Sequence, residues 1–295
     1  MNRVVFLARR PAGGLGDRYV GLVTAVQLAR ALNRKLEVAW EDGGLDGIIS
    51  YPIAGDITGG VHLDARDRQV QDSAWWSSVD IEAELAHNPT ILLRCNVALG
   101  QYLWRNPHYA GWLGVYDPIS DYRTAFREIM RPDQALVDTC RTVIAEREVS
   151  WGIQVRMGDT YIPGPFAGYV SVNPTKLQTM LTEARDLIPR DAGVFITGDS
   201  PLVWEAAQDI LADYRTTYFD KPLIHTDKSK PIPMGMLKAF VDMHVLSMLP
   251  NLIITTASNF GRVPAVVGDA ELFGWTGHKV EPIKRRDMLS KKEVL

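Results

Sequence analysis

Three stretches of this chain read as buried β-strands that run straight into residues suited to holding phosphate. WGIQVR (Trp151–Arg156) ends on an arginine and passes through Met157 and Gly158 to Asp159. GVFITG (Gly193–Gly198) leads into Asp199 and Ser200, and NLIITT (Asn251–Thr256) into Ser258, Asn259, Phe260, Gly261 and Arg262. Each residue type has a chemical use. An arginine fork binds phosphate bidentately and never loses its charge. A helix start built from small residues offers backbone N–H groups to an anion. An aspartate accepts two N–H bonds from a guanine edge, or two hydroxyls of a ribose. In open parallel sheets ligands bind beyond the carboxyl ends of the strands, so one edge would gather all of these groups into a nucleoside-diphosphate site. Plainer readings exist for each residue alone: a salt bridge from Arg156 to Asp159 or Asp199, a helix-surface role for Arg262, and a helix N-terminal charge at Asp199 beside a cap at Ser200.

The elements that must position these residues repeat in both halves. In the first half, RVVFLA (Arg3–Ala8) reads as a strand, Arg9–Asp17 as a glycine-rich loop, Arg18–Asn33 as a helix and Arg34–Trp40 as a second strand. This is a βαβ unit, the seed of a parallel sheet. A short strand follows at VHLDA, another at Ile91–Asn96, and helices broken at Pro132 fill residues 117–148. In the second half the strand from Trp151 is followed by Asn173 as N-cap and Pro174 at the first helical position. Ser200 and Pro201 repeat that signal after the strand at Gly193, a short strand falls near Thr217, and MGMLKAFVDMHVLSML reads as an amphipathic helix. AELFGW closes the sheet. The expected division is residues 1–148 and 149–295. The loop before the first helix, GGLGDR, contains Gly14, Gly16, Asp17 and Arg18, but fits neither the dinucleotide nor the Walker fingerprint. It reads instead as a tight glycine turn that lets a ligand approach closely.

Composition narrows the function classes. The chain has 295 residues, 46% hydrophobic and 23% charged, which is ordinary globular material with room for two domains. A net charge of -3 gives no electrostatic footprint for nucleic acid. Two distant cysteines, Cys95 and Cys140, make no disulfide framework and fit a reducing compartment. The apolar run at the N-terminus is too brief for a signal sequence, and no run reaches the length of a membrane span. The expectation is a cytoplasmic protein with no transmembrane segment. No His/Cys/carboxylate spacing suggests zinc.

Taken together, the segments resemble the fucosyltransferase superfamily that includes the α1,2-, α1,6- and protein O-fucosyltransferases. GGLGDRYVGLVTAVQLARALNRKLEV resembles the opening loop and first helix of those enzymes. GIQVRMGDTY resembles their H-x-R-x-G-D-Y segment, VFITGDS a strand end rich in aspartate, and LIITTASNFGRVPAVVG their late strand with S-x-F-[GS]-R. Residues 41–145 and the C-terminal tail carry no resemblance. The resemblance implies an α/β fold of GT-B type: two Rossmann-like domains with parallel sheets facing a cleft, acceptor side in the first and nucleotide-sugar donor in the second. It implies an inverting, metal-independent glycosyltransferase that moves fucose from GDP-fucose to a hydroxyl of a glycan or other acceptor. No cofactor is then needed beyond the GDP-sugar itself. Arg156 would hold the diphosphate and Asp199 the guanosine. Ser258, Asn259 and Phe260 would offer backbone N–H groups, and Arg262 would add charge. The lack of D-x-D agrees with arginine in place of a metal ion. One position departs from the family pattern: Gln154 stands where a histidine is usual, and glutamine does not titrate. A transferase for another sugar nucleotide, or a non-catalytic GDP- or glycan-binding protein, is the alternative reading.

Several residues stay open. Asp17 is the first candidate base for the acceptor hydroxyl, with Asp159 and Glu41 behind it, and it equally suits a helix cap. His225 follows a strand and could touch base or sugar, or simply sit in a loop. His244 lies on an apolar helix face and reads as a core histidine. Trp75, Trp76 and QYLWRNPHYAGW offer either an acceptor platform or packing. The tail KRRDMLSKKEVL reads as a frayed or surface helix.

Overall fold

The computed structural model describes residues 2–8, 14–40, 45–64, 73–158, 161, 171–222 and 233–289. The chain divides into two compact units, one from Met1–Gly43, Ile49–Arg131 and Leu289–Leu295, the other from Gly44–Ile48 and Pro132–Met288.

The first unit is built on a four-stranded parallel sheet. Its strands are β1 (Arg3–Ala8), β2 (Lys35–Trp40), β3 (Val61–Asp64) and β4 (Thr90–Arg94), in the order β2-β1-β4-β3. Helix α1 (Leu15–Ala31) makes the crossover from β1 to β2. It starts three residues earlier than the pattern of apolar residues indicates. Gly14 is the N-cap, and its N–H donates to Asp17 Oδ2 at 3.0 Å. Part of the expected glycine loop is therefore the first helical turn. Nearly every side chain of α1 is buried, so its amphipathic period is weak. Short helices at Ser73–Ser78, Gly100–Arg105 and Pro118–Thr124 complete this unit. Trp75 and Trp76 are 8% and 0% exposed, which makes them core rather than an open platform.

The second unit holds a six-stranded sheet. Helix α2 (Gln134–Glu146) leads into β5 (Val149–Val155), followed by α3 (Pro174–Leu187), β6 (Gly193–Gly198), α4 (Pro201–Ile210) and β7 (Arg215–Thr217). Helix α5 (Pro233–Met248) then returns the chain to β8 (Asn251–Thr255), α6 (Asn259–Val267), β9 (Glu271–Trp275) and β10 (Val280–Pro282). The order is β10-β9-β8-β5-β6-β7, parallel except for β10, an antiparallel edge strand that the sequence pattern does not announce. Both caps expected at α3 and α4 are present: Asn173 Oδ1 accepts from Lys176 N–H at 2.9 Å, and Ser200 Oγ from Leu202 N–H at 3.3 Å.

The core of this unit lies where β5 and β6 meet α3 and α4, with Ile153, Val155, Val194, Ile196, Leu181 and Val203 all at 2% exposure or less. Burial on this scale contributes roughly 1.5–3 kcal/mol per large aliphatic side chain. It makes the strand ends a rigid support. From β5 the chain winds one way through β6 to β7, and then returns to β8 on the other side of β5. The strand order therefore reverses between β5 and β8, which is where open α/β sheets bind ligands.

Candidate functional site

Arg156 emerges from the end of β5 at this switch point. Its backbone N–H donates to Thr255 Oγ1 at 3.0 Å, and Thr255 in turn donates to Gln154 Oε1 at 3.0 Å. The Gln154 amide reaches on to Ser258 Oγ at 3.5 Å. Gln154, Thr255 and Ser258 are all buried, so this relay ties the ends of β5 and β8 together below the surface. Gln154 thereby supports the site from below. Thr255 is a site residue that sequence reasoning missed, because a threonine in a strand reads as an ordinary β-former.

The Arg156 guanidinium forms a 2.8 Å ion pair with Asp199 Oδ2, with the two side chains 27% and 14% exposed. Asp199 is held in turn by two backbone donors, Met157 N–H at 2.7 Å and Gly158 N–H at 2.9 Å. Gly158 has φ +114°, a region that side-chain-bearing residues rarely adopt, and this turn aims both amides at one carboxylate. The plain reading of a salt bridge is thus realised, and it orients the fork. The contacts of Asp199 make it a clamp for Arg156 and the β5 turn.

At the third strand end, α6 starts after Ser258. The N–H of Ser258 donates back to Thr255 O at 3.0 Å, while Gly261 and Arg262 N–H return to Ser258 O at 3.1 and 2.9 Å. Phe260 lies in the first turn, where helical geometry leaves N–H groups without an intrahelical acceptor. Gly261 is needed for close approach: a Cβ there would lie 2.3 Å from Gln154 Oε1. The Arg262 guanidinium holds Met288 O through Nε and Nη2 and Asn259 Oδ1 through Nη1 at 3.0 Å. It fastens the 3₁₀ turn Arg285–Met288, part of the tail that reads from sequence as a frayed or surface helix.

At the β6 end lies a cavity of about 450 Å³, lined by Gly198, Ser200, Trp204, Tyr218 and Lys238 among others. The rings of Trp204 and Tyr218 pack at 4.0 Å between centroids. Lys238 on α5 is 5% exposed; its ammonium pairs with Asp242 Oδ2 at 2.9 Å and donates to Phe219 O at 2.9 Å. Asp242 Oδ2 also accepts from Thr197 Oγ1 at 2.6 Å. Burial raises the Asp242 carboxyl above its ordinary value, against the opposing pull of Lys238 and Thr197.

The expected residues of the first unit are engaged locally. Asp17 holds Gly14 N–H, and Gly16 is buried in the first turn of α1. Arg18 is 1% exposed; it donates to Ala8 O at 3.4 Å and lies over the Trp40 ring, 5.0 Å from its centroid. Its guanidinium is packed under the carboxyl ends of β1 and β2. His244 is buried on α5, as a core histidine would be. Asp159, His225 and Glu41 lie outside the described residues.

Comparison with known proteins now bears on this arrangement. No protein-family model and no curated protein sequence matches the chain. Solved structures do. FUT1 of Arabidopsis thaliana, a variant in complex with GDP, is 16% identical with a TM-score of 0.65, over 95% of this chain and 73% of that one. The α-1,6-fucosyltransferase NodZ, co-crystallised with GDP, is 17% identical with a TM-score of 0.59, over 96% of this chain and 99% of that one. POFUT1 in complex with GDP is 9% identical with a TM-score of 0.53, over 93% and 99%. The chain has the fold of the fucosyltransferases. That fold is of GT-B type, mixed α/β with parallel sheets, and the match runs through the stretch of residues 41–145 that has no sequence resemblance. No helix among the described residues is long and apolar enough to cross a membrane.

Proposed function

We propose that this chain is an inverting, metal-independent glycosyltransferase that moves fucose from GDP-fucose to a hydroxyl of a glycan or another acceptor. The observation that carries this reading is Arg156, fixed at the switch point of the second sheet by Asp199 and Thr255. The fucosyltransferase fold and the GDP bound in the neighbouring structures support it. In the proposed reaction the acceptor oxygen attacks C1 of fucose as the bond from C1 to the β-phosphate oxygen breaks. The electron pair leaves with GDP, and Arg156 neutralises the charge that grows on that oxygen. Stabilisation aimed at the leaving group lowers the barrier because it is stronger in the transition state than in the bound donor. The acceptor proton goes to a carboxylate, with Asp17 and Asp159 as the candidates. The Phe260 amide at the start of α6 adds a donor beside the phosphate.

Calorimetric titration with GDP, UDP, CDP and ADP, each with and without EDTA, tests the donor assignment. Selective GDP binding that ignores EDTA is expected. Preference for UDP, or binding lost in EDTA, would overturn it. Transfer is then followed as GDP release from GDP-fucose in the presence of a panel of glycan acceptors.

A further inference from the structure

One aromatic residue of the first unit has no part in the proposed transfer chemistry. Within QYLWRNPHYAGW, Trp104 and Tyr109 are buried, whereas Trp112 is 63% exposed. The support beneath it is ordered. Trp112 Nε1–H donates to Ala31 O at 3.3 Å, and its ring stands edge-to-face with Tyr109, 5.9 Å between centroids. The Tyr109 hydroxyl accepts from Ile81 N–H at 2.7 Å and donates to Asp80 Oδ1 at 3.4 Å. Asn106, fully buried, donates to Trp76 O and Val79 O at 2.9 Å and accepts from His108 N–H at 3.0 Å. The indole is thus held out toward solvent by a stretch of chain that is pinned from within.

Its neighbours decide what this indole suits. The side chains of His108 and Asp80, 44% and 42% exposed, also adjoin Tyr109, with Nδ1 and Oδ2 3.8 Å apart. A flat apolar face and a pair of hydrogen-bonding groups therefore share one buried tyrosine as their floor. A carboxylate and an imidazole accept hydroxyl protons, and the imidazole also donates. The face of an indole is electron-rich and attracts C–H groups. A pyranose ring offers this combination, C–H groups on its face and hydroxyls around its rim. A protein partner calls for roughly 800 Å² on each side, whereas one indole supplies at most about 250 Å². The exposed residues Pro107, Ala110 and Gly111 add little to it, and Val115 is the other large apolar residue exposed in this stretch. The apolar area is thus of the size of a sugar ring.

We propose that Trp112, with His108 and Asp80, forms a surface site for a neutral saccharide, separate from the transfer centre. Trp112 is tied to Ala31, the last residue of α1, while Asp17 lies in the first turn of that helix. About 21 Å of helix separates the two. The site is therefore at the far end of α1 from the loop that follows β1. A glycan chain gripped there is retained by the protein without occupying the residues proposed for transfer. The site does not depend on the identity of the donor.

The test is calorimetric titration of the full-length wild type, W112A, W112F and H108A with cellohexaose, chitohexaose, xylohexaose and mannohexaose. The wild type binds at least one of the four. W112A binds it more weakly by about tenfold or more, while W112F, which keeps a flat ring, stays within about threefold. Because both variants lose the bond to Ala31 O, the difference between them reports stacking. H108A weakens binding by about threefold through the loss of one hydroxyl contact. GDP titrations of the same proteins read the donor site separately, and the Trp112 variants match the wild type there. A wild type that binds none of the four saccharides overturns the proposal. So does a W112A protein that binds them like the wild type, since the saccharide then lies elsewhere, and so does an equal loss in W112A and W112F, the mark of a structural role alone. Flotation with phosphatidylcholine–phosphatidylserine vesicles that is lost in W112A, without saccharide binding, would make the indole a membrane contact and overturn it too.

Discussion

Gly261→Ala is a one-methyl probe of how the site is held. The new Cβ would sit 2.3 Å from Gln154 Oε1, 3.0 Å from its Cδ and 3.3 Å from Ile254 Cβ. The first two contacts demand that Gln154 move. That side chain is 2% exposed and engaged with Thr255 and Ser258, so it has little room to give. Overpacking of this kind costs about 1–3 kcal/mol. Losing the bond from Thr255 adds roughly 1 kcal/mol. Against this, alanine in a helix interior gains up to about 1 kcal/mol over glycine, and less in the first turn where Gly261 lies. The balance predicts destabilisation of about 1–3 kcal/mol. For a urea slope near 2 kcal/mol/M, this moves the midpoint of the second unit down by roughly 1 M. Gln154→Ala supplies the partner for a double-mutant cycle: it opens the space that the methyl would enter, so the double variant should be less destabilised than the sum by about 1–2 kcal/mol. Urea unfolding followed by tryptophan emission reads all four proteins. A G261A protein as stable as the wild type, or strict additivity with Q154A, would refute the reasoning that Gln154 and the α6 start are locked together.

The other expectations are briefer. Arg156→Ala should abolish nearly all transfer and weaken GDP binding by about tenfold or more, while stability changes by less than about 1 kcal/mol, because the ion pair is partly exposed and Asp199 keeps its two amides; turnover at the wild-type rate would remove Arg156 from the mechanism. Asp17→Asn should keep the bond to Gly14 N–H and so the stability, whereas Asp17→Ala should lose roughly 0.5–2 kcal/mol; if Asp17 takes the acceptor proton, both variants lose turnover by about a hundredfold or more, and full activity in Asp17→Asn would confine it to the cap. Burial pushes the thiols of Cys95 and Cys140 up to about 11 and about 12, so neither should react with a thiol reagent at neutral pH until its own unit unfolds. Mass spectrometry of labelled peptides along a urea series would read the two units separately, and rapid labelling of the native protein would contradict the burial. Asp121 is fully buried, and burial raises its carboxyl above the ordinary value despite Gln27 and the 2.8 Å pair with Arg30. The unfolded chain therefore releases this proton first, and the contribution of Asp121 to stability falls as pH rises from about 4 through its folded value. The stability lost by Asp121→Asn should be greatest in acid and shrink toward neutrality; a loss that grows with pH would mean that Arg30 outweighs the burial.

How much of this was legible in the sequence follows from the range of the forces involved. Strands β1, β2, β5, β6 and β8 stand out because short β-branched and apolar runs end in turn residues, and the caps at Asn173 and Ser200 announce their helices through local bonds alone. The start of helix α1 is hidden in the sequence because the Gly14–Asp17 capping bond is made by residues that also spell a glycine loop. The antiparallel β10 depends on pairing with β9, a contact that no local pattern encodes. Within the site, Arg156 and Asp199 could be picked out by their positions after strands. That Asp199 would hold Arg156 and its turn, and that Arg262 would hold Met288 O, depends on neighbours 43 and 26 residues away. Lys238 and Asp242 have the i,i+4 spacing of an ordinary surface pair. Only the fold buries them beside a cavity.

The relay beneath Arg156 also explains what a glutamine gains at position 154. The proton order runs one way, from Arg156 N–H to Thr255 Oγ1, from the Thr255 hydroxyl to Gln154 Oε1, and from the Gln154 amide toward Ser258 Oγ. Glutamine has one oxygen that only accepts and one nitrogen that only donates, so it fixes this order with no choice of tautomer. A neutral histidine could also bridge an acceptor and a donor, but at this spot it could take up a second proton near physiological pH. It would then lose its acceptor and place a positive charge below the arginine proposed to receive a diphosphate. The departure from the family pattern therefore leaves the charge of the site intact. It removes a titrating group from the support, while the guanidinium of Arg156 stays at the switch point, where a leaving phosphate would need it.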